Sequence, residues 1–288
     1  MNNFALEIKN LTKEYNDFTL NDVSFTVEKG SVMGLIGQNG AGKTTIIKLI
    51  MNCLKRKSGS ISVFGLDNIE NEPEVKNKIG YVADEDYLLI SSTMKAHANA
   101  YKIMFENWDQ ELFEKYSEMW KLPLKKKFSE YSKGMKTKAM LSLALSHNPE
   151  ILILDEPTAG LDPVARIEVL DILRDFVSNG EKAVLFSTHI TGDLDKIADY
   201  ITLLIDGNVT ESLSVDKVEE KYAVISGDNS VINGKEGELV GLRKGTLTFE
   251  ALIKRDKLRL FEGVSVHTPN IENLLTFSIW GNSPKQEG

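Results

Sequence analysis

Cysteine is nearly absent from this chain. Cys53 is the only one in 288 residues, which excludes an intrachain disulfide and fits a reducing compartment. Its place in the helical run after residue 45 reads as a small buried thiol rather than a reactive one. No apolar run approaches the roughly 18 to 20 residues that span a bilayer, so no membrane-crossing helix is expected. The start, Met1-Asn2-Asn3-Phe4-Ala5-Leu6-Glu7, lacks the basic and apolar regions of a secretion signal. Excess positive charge is missing too. The 34 Lys and Arg against 42 Asp and Glu leave a net −8, which argues against general affinity for nucleic acid or anionic headgroups. No internal repeat, low-complexity tract or heptad series stands out. What is present is ordinary for a globular protein with a sizeable core: 42% hydrophobic and 26% charged residues. The length suits one large domain with an appendage, or two modest domains. These features predict a cytosolic chain unless a partner holds it at a membrane.

The most informative stretch is Gly34-Leu-Ile-Gly-Gln-Asn-Gly-Ala-Gly-Lys-Thr-Thr45. Within it, Gly37-x-x-x-x-Gly42-Lys43-Thr44 fits the phosphate-binding loop, with an apolar strand before it and a helical pattern after it. Gly37, Gly40 and Gly42 let the backbone turn sharply around Asn39 and Ala41 and point N–H groups at phosphate oxygens. A helix starting near Lys43, with Thr44 and Thr45 in its first turn, adds its positive end to the same anion site. Lys43 can reach the β- and γ-phosphates, and the Thr44 hydroxyl is a hard oxygen suited to Mg²⁺. The pattern predicts nucleoside triphosphate binding.

Residues 4–36 alternate apolar and polar positions between turn signals, which predicts strands at Leu6–Ile8, Val23–Val27 and Val32–Ile36. Ile46, Ile47, Leu49, Ile50 and Leu54 make an apolar helical face that ends at Lys55-Arg56-Lys57 and Gly59. Short strands are expected at Ile61–Phe64 and Gly80–Val82. From about Thr93 to His147 the period becomes helical, and Tyr101, Phe105, Trp108 and Trp120 read as the core of a small helical subdomain rather than a base-stacking platform. Ile151–Leu154 and Ala183–Phe186 are short apolar strands separated by helical stretches, the alternation of a mostly parallel sheet. Near Ser212 the strong patterning stops. Beyond it, glycine punctuation and runs such as Leu258–Val266 predict a few strands. Asn270 reads as the cap of a final helix stopped by Gly281, with a short disordered tail after it.

A second element narrows the chemistry. Ile151-Leu-Ile-Leu-Asp155-Glu156-Pro157 places two carboxylates at the end of a buried strand. Asp155 is placed to orient Mg²⁺ through its water shell, and Glu156 to polarise an attacking water. At this point residues 4–212 resemble the ATP-binding cassette (ABC) family. Tyr15 matches the aromatic that stacks on adenine in that family. Tyr131-Ser132-Lys133-Gly134-Met135 stands where the family carries Leu-Ser-Gly-Gly-Gln, Thr158-Ala159-Gly160-Leu161-Asp162 resembles the D-loop, and Ser187-Thr188-His189 ends a strand as the switch histidine does.

The resemblance implies an α/β fold: a P-loop NTPase of ABC type, with a mixed sheet core, N-terminal antiparallel strands and a helical subdomain at about 85–147. A small α+β appendage would occupy 213–288, after a cassette at 1–212. It further implies two cassettes closing head to tail around two ATP-Mg²⁺, each ATP held by one phosphate loop and by Ser132 and Gly134 of the other subunit. His189 would hold Glu156 and water in line with the γ-phosphate. His97, His147 and His267 lack such context and read as structural or surface residues.

Two motifs, the signature and the Q-loop, depart from the family pattern. Lys133 replaces a signature glycine and Met135 a glutamine, a form that resembles bacterial export-type (ABC-2-like) cassettes. Asp84 stands where most relatives carry the Q-loop glutamine. It could ligate Mg²⁺ directly or through water, yet a carboxylate there would repel an unscreened γ-phosphate. The leading expectation is the ATPase subunit of a bacterial transporter, an exporter in direction by its signature form, driving a separate integral membrane subunit. It would sit in the cytoplasm on the inner face of the membrane, paired with a second ABC subunit as homo- or heterodimer. Residues around 84–105 are the expected contact with the membrane subunit. The appendage would regulate or dimerise, or only pack against the cassette. The alternative is a soluble ABC-type ATPase acting on ribosomes or nucleic acid; one cassette and a net negative charge argue against nucleic acid as a partner.

Overall fold

A computed structural model describes residues 3–85 and 87–282. The chain opens with β1 (Phe4–Glu14), β2 (Thr19–Glu28) and β3 (Val32–Ile36). After β3 come α1 (Lys43–Ile50), β4 (Ser58–Val63), β5 (Leu66–Asp67), α2 (Glu72–Lys78) and β6 (Ile79–Val82). Alternation in β1 and β2 follows from one face packing on α1 and the other meeting water. Leu6, Ile8, Val23 and Val27 point inward, and the sheet order is β2-β1-β4-β5. The helix after the phosphate loop is shorter than its apolar pattern predicts. It ends at Ile50, and Leu54 packs against the core from the following turn. Cys53 lies in that turn and is exposed, contrary to the expected buried thiol. Losing the helix there rotates the thiol off the apolar face.

Next come α3 (Met94–Met104), α4 (Gln110–Met119) and α5 (Lys133–Ser146). Thr93 and Asp109 cap α3 and α4 by accepting from Ala96 N and Leu112 N. The aromatic residues pack as expected: Trp120 is buried, Tyr101 and Trp108 lie against the same core, and Phe105 stacks on His147 at 4.1 Å. His97 is buried against Phe128, and His267 is exposed.

The central sheet is completed by β7 (Ile151–Asp155), β8 (Ala183–Thr188), β9 (Tyr200–Ile205) and β10 (Asn208–Ser214), with α6 (Pro163–Val177) after β7 and α7 (Thr191–Ile197) after β8. Its order is β10-β9-β3-β8-β7-β6, parallel except for β10. The three fully buried strands β3, β7 and β8 are neighbours, so their carboxyl ends open on one crevice, where α/β sheets bind ligands.

The chain then forms α8 (Asp216–Lys221), β11 (Tyr222–Asp228), β12 (Leu239–Lys244), β13 (Thr248–Lys254), β14 (Ser265–His267) and α9 (Ile271–Asn282). The strands make a separate antiparallel sheet, β12-β13-β11-β14. Only the end of the Leu258–Val266 run is strand; its start, Leu258–Leu260, belongs to a 3₁₀ segment over Arg255–Leu260, with Arg259 and Leu260 both exposed rather than alternating. Asn270 caps α9 as expected, accepting from Asn273 N at 2.8 Å. Gly281 does not stop this helix: it lies within it, where any Cβ would come 1.8 Å from Val240 O. Gly241 makes the same close approach from β12, so helix and strand touch backbone to backbone. The other face of α9, through Ile271 and Leu274, joins one core with Leu194 and Ile197. The expected tail after Asn282 lies outside the described residues.

Candidate functional site

Backbone geometry builds the anion cradle. Gly42 has φ +110°, a left-handed conformation that admits glycine readily, and it is the residue from which α1 starts. Gln38, Asn39 and Gly40 are exposed at the loop tip, while Gly37, Ala41 and Gly42 are buried beneath it. Ile46 N donates to Gly42 O at 3.0 Å, and Gly207 N to Ala41 O at 3.1 Å, which pins the loop to the turn between β9 and β10. Thr44 is exposed and Thr45 half-buried in the first turn.

Lys43 is only 6% exposed, and its Nζ donates to Gly37 O at 2.8 Å and to Gln38 O at 3.3 Å. Burial holds its ammonium below the usual range, opposed by the Glu156 and Asp155 carboxylates. Glu156 Oε1 lies 3.8 Å from Lys43 Nζ and 2.9 Å from His189 Nδ1. Glu156 has φ +51°, a left-handed value that costs a non-glycine residue of order 1 kcal/mol. The turn holds because Glu156 N donates to both Ser187 O at 3.1 Å and Ser187 Oγ at 3.3 Å. The second carboxylate oxygen, Oε2, is buried without a hydrogen-bond partner among the described residues.

Asp155 is held by its neighbours in register. It pairs across the sheet with Ser187, whose hydroxyl donates to Asp155 Oδ1 at 2.5 Å. The Thr44 hydroxyl donates to Asp155 Oδ2 at 2.8 Å. Two hard oxygens thus converge from different elements. Among the described residues no group of three or more His, Cys, Asp or Glu could hold a metal alone. A threonine, a carboxylate and phosphate oxygens are the donor set that Mg²⁺ takes, with waters completing its shell.

Other expected residues lie around this centre. Tyr15 is exposed, tilted against Phe18 at 6.3 Å with Lys13 Nζ 5.1 Å from its ring centre. Phe18 reaches the phosphate loop: a Cβ on Gly42 would come 2.9 Å from its ring. Ser132 caps α5, accepting from Met135 N at 3.3 Å, and Gly134 faces the turn at Gly160 and Leu161. Asp84 shares a cavity of about 260 Å³ with Thr44, Asp155, Tyr81 and Tyr87, but its Oδ1 accepts from Lys133 Nζ at 2.9 Å. The expected metal contact is therefore engaged by a cation.

Sequence reasoning brought Lys43, Thr44, Asp155, Glu156 and His189 together, and the structure does as well. It missed Ser187 as the anchor of Asp155, Phe18 as the bridge from Tyr15, and the Lys133 contact. The Ser187-Thr188-His189 run carried the signal for the first; the others depend on folding.

The description "ABC transporter" matches residues 20–159. The ABC transporter ATP-binding protein YtrB of Bacillus subtilis is 31% identical over 221 residues, 76% of this chain and 75% of that protein. The bacitracin transport ATP-binding protein BcrA of Enterococcus faecalis is 30% identical over 221 residues, covering 76% and 72%. A solved structure of an ATP-binding subunit of an ABC transporter superposes with TM-score 0.69 at 28% identity, covering 75% of this chain and 92% of that one. With Glu156 in contact with both Lys43 and His189, and Thr44 bonded to Asp155, at one crevice, this chain belongs to the ATP-binding proteins of ABC transporters and is an ATPase of the P-loop cassette fold.

Proposed function

We propose that this chain hydrolyses ATP-Mg²⁺ to drive a separate integral membrane subunit of an export-type transporter. One observation carries the reading: Lys43, Glu156 and His189 form one contact chain, and Thr44, Asp155 and Ser187 form another, on adjoining strand ends. Phosphates bind the N–H groups from Gly37 to Thr45 and the Lys43 ammonium; Tyr15 carries the adenine. Thr44 and Asp155 would hold Mg²⁺, which would supply positive charge against the triphosphate. Glu156 accepts the proton of the attacking water, and His189 holds that carboxylate in place through Oε1.

Ser132 and Gly134 of a second ABC subunit, identical or a sister, close on the γ-phosphate head to tail. A serine hydroxyl and a helix N-terminus suit an anion. Support for a membrane partner is the family's role in transporters, and among the described residues no helix is long and apolar enough to cross a membrane. The working place is then the cytoplasmic face of the membrane. Residues 84–105 include exposed Leu89, Ile90 and Ile103 and make the contact with the membrane subunit. The signature form Tyr131–Met135 supports export. We divide the chain into a cassette at 1–212 and an appendage at 213–288, although β10 runs on to Ser214.

The test is affinity capture of tagged Glu156→Gln chain with ATP from detergent-solubilised native cells, followed by mass spectrometry. Specific recovery of a polytopic membrane protein is expected. Recovery of ribosomes or nucleic-acid-processing proteins with no membrane partner would overturn the reading.

A further inference from the structure

Two of the residues that depart from the family pattern, Asp84 and Lys133, meet in one ion pair, Asp84 Oδ1 to Lys133 Nζ at 2.9 Å. They come from separate elements. Asp84 follows β6 and lines the cavity that holds Thr44 and Asp155. Lys133 is the first residue of α5, between Ser132 and Gly134. Its aliphatic stem lies over the turn after β7, where a Cβ on Gly160 would stand 3.2 Å from Lys133 Cδ.

Each residue alone is a liability. A bare carboxylate beside Thr44 and Asp155 adds negative charge where a triphosphate must bind. A bare lysine at a helix N-terminus opposes the dipole there. Paired, the two cancel. Both side chains remain partly solvent-exposed, Lys133 at 57% and Asp84 at 45%, and such pairs are usually weak because ordering long side chains offsets the attraction. Here the stem lies beside Gly160, which limits its freedom and so reduces that loss.

We propose that Lys133 is a positioning residue for Asp84. It holds that carboxylate in the wall of the nucleotide cavity and cancels its charge toward ATP. It also ties the loop after β6 to the signature end of α5 and to the Gly160 turn within one chain. This rests on the ATP site proposed above, and its effect falls on nucleotide affinity rather than on the chemical step.

The test is a double-mutant cycle on the full chain, reading KM for ATP-Mg²⁺ and kcat separately. Lys133→Gln should raise KM about fivefold with kcat within about twofold, the upper end for an exposed pair. In a chain already carrying Asp84→Asn, the same substitution should change KM by less than about twofold. Lys133→Arg keeps the cation and should keep KM. Equal fold-changes in the two backgrounds, or a change confined to kcat, would overturn the proposal. Lys43→Ala, measured alongside for ATP binding, separates the two levels. Binding lost there with an additive cycle sinks only the pairing; binding retained there sinks the ATP site beneath it.

Discussion

His147 offers a quantitative prediction about stability. It caps the C-terminus of α5, is 2% exposed, and stacks on Phe105 with ring centres 4.1 Å apart. Its Nδ1 has no hydrogen-bond partner among the described residues. Burial lowers its pKa from 6.5 to about 4, opposed by an interaction with its own backbone and helped by the Lys182 charge. In the folded protein the ring stays neutral down to about pH 4, while in the unfolded chain it protonates near 6.5. Between those values the unfolded state binds the extra proton, so stability falls as pH falls through this window. The penalty is absent above about pH 7, about 2 kcal/mol at pH 5, and approaches about 3 kcal/mol at pH 4, at 1.36 kcal/mol per pH unit. Urea unfolding of wild type and His147→Gln at pH 7, 6 and 5 reads this directly. The variant loses the ring stack and is less stable at pH 7. The gap between the two proteins should nevertheless shrink by about 2 kcal/mol on going to pH 5. A gap that stays constant with pH would refute the assignment of a buried neutral imidazole.

Glu156→Gln keeps the size of the side chain and an oxygen for His189 but removes the base, so single-turnover hydrolysis should slow by about 100- to 10,000-fold while ATP binding persists; turnover within tenfold of wild type removes Glu156 from the mechanism. Ser187→Ala deletes the 2.5 Å donor to Asp155, which is 2% exposed, so stability should fall by about 1.5–3 kcal/mol and the Mg²⁺ requirement for hydrolysis should rise. Unchanged urea and Mg²⁺ titrations would show that Thr44 alone holds the carboxylate. Gly241→Ala puts a methyl 1.9 Å from Phe277 O, so α9 must shift at a cost of about 1–3 kcal/mol or more. Faster amide exchange across Ile271–Asn282 is the expected sign, and wild-type protection there would contradict it.

Legibility in the sequence tracks how local the physics is. Phosphate binding needs glycines, a lysine and a threonine at fixed spacing in one turn, so Gly37 to Thr44 could be read directly. Asp155-Glu156 and His189 were readable for the same reason, because each ends a short apolar run whose strand character is evident. Helix limits were less legible. The apolar pattern ran to Leu54, but Asn52 adopts φ +54° and the chain turns away after Ile50. In the appendage, Gly281 has the residue type of a helix stop, and only the approach of Val240 explains why a helix passes through it.

The sequence alone specified which groups stand at the phosphate loop and the strand ends, because residue type and short-range spacing set them. Tertiary structure decided which groups restrain them. Strand register put Ser187 beside Asp155, the folding of β1 and β2 brought Phe18 to Gly42, and three segments distant in sequence met at Lys133 and Asp84. Pairings of that kind depend on which strands are neighbours and how loops cross their ends, and no local pattern in the chain encodes that.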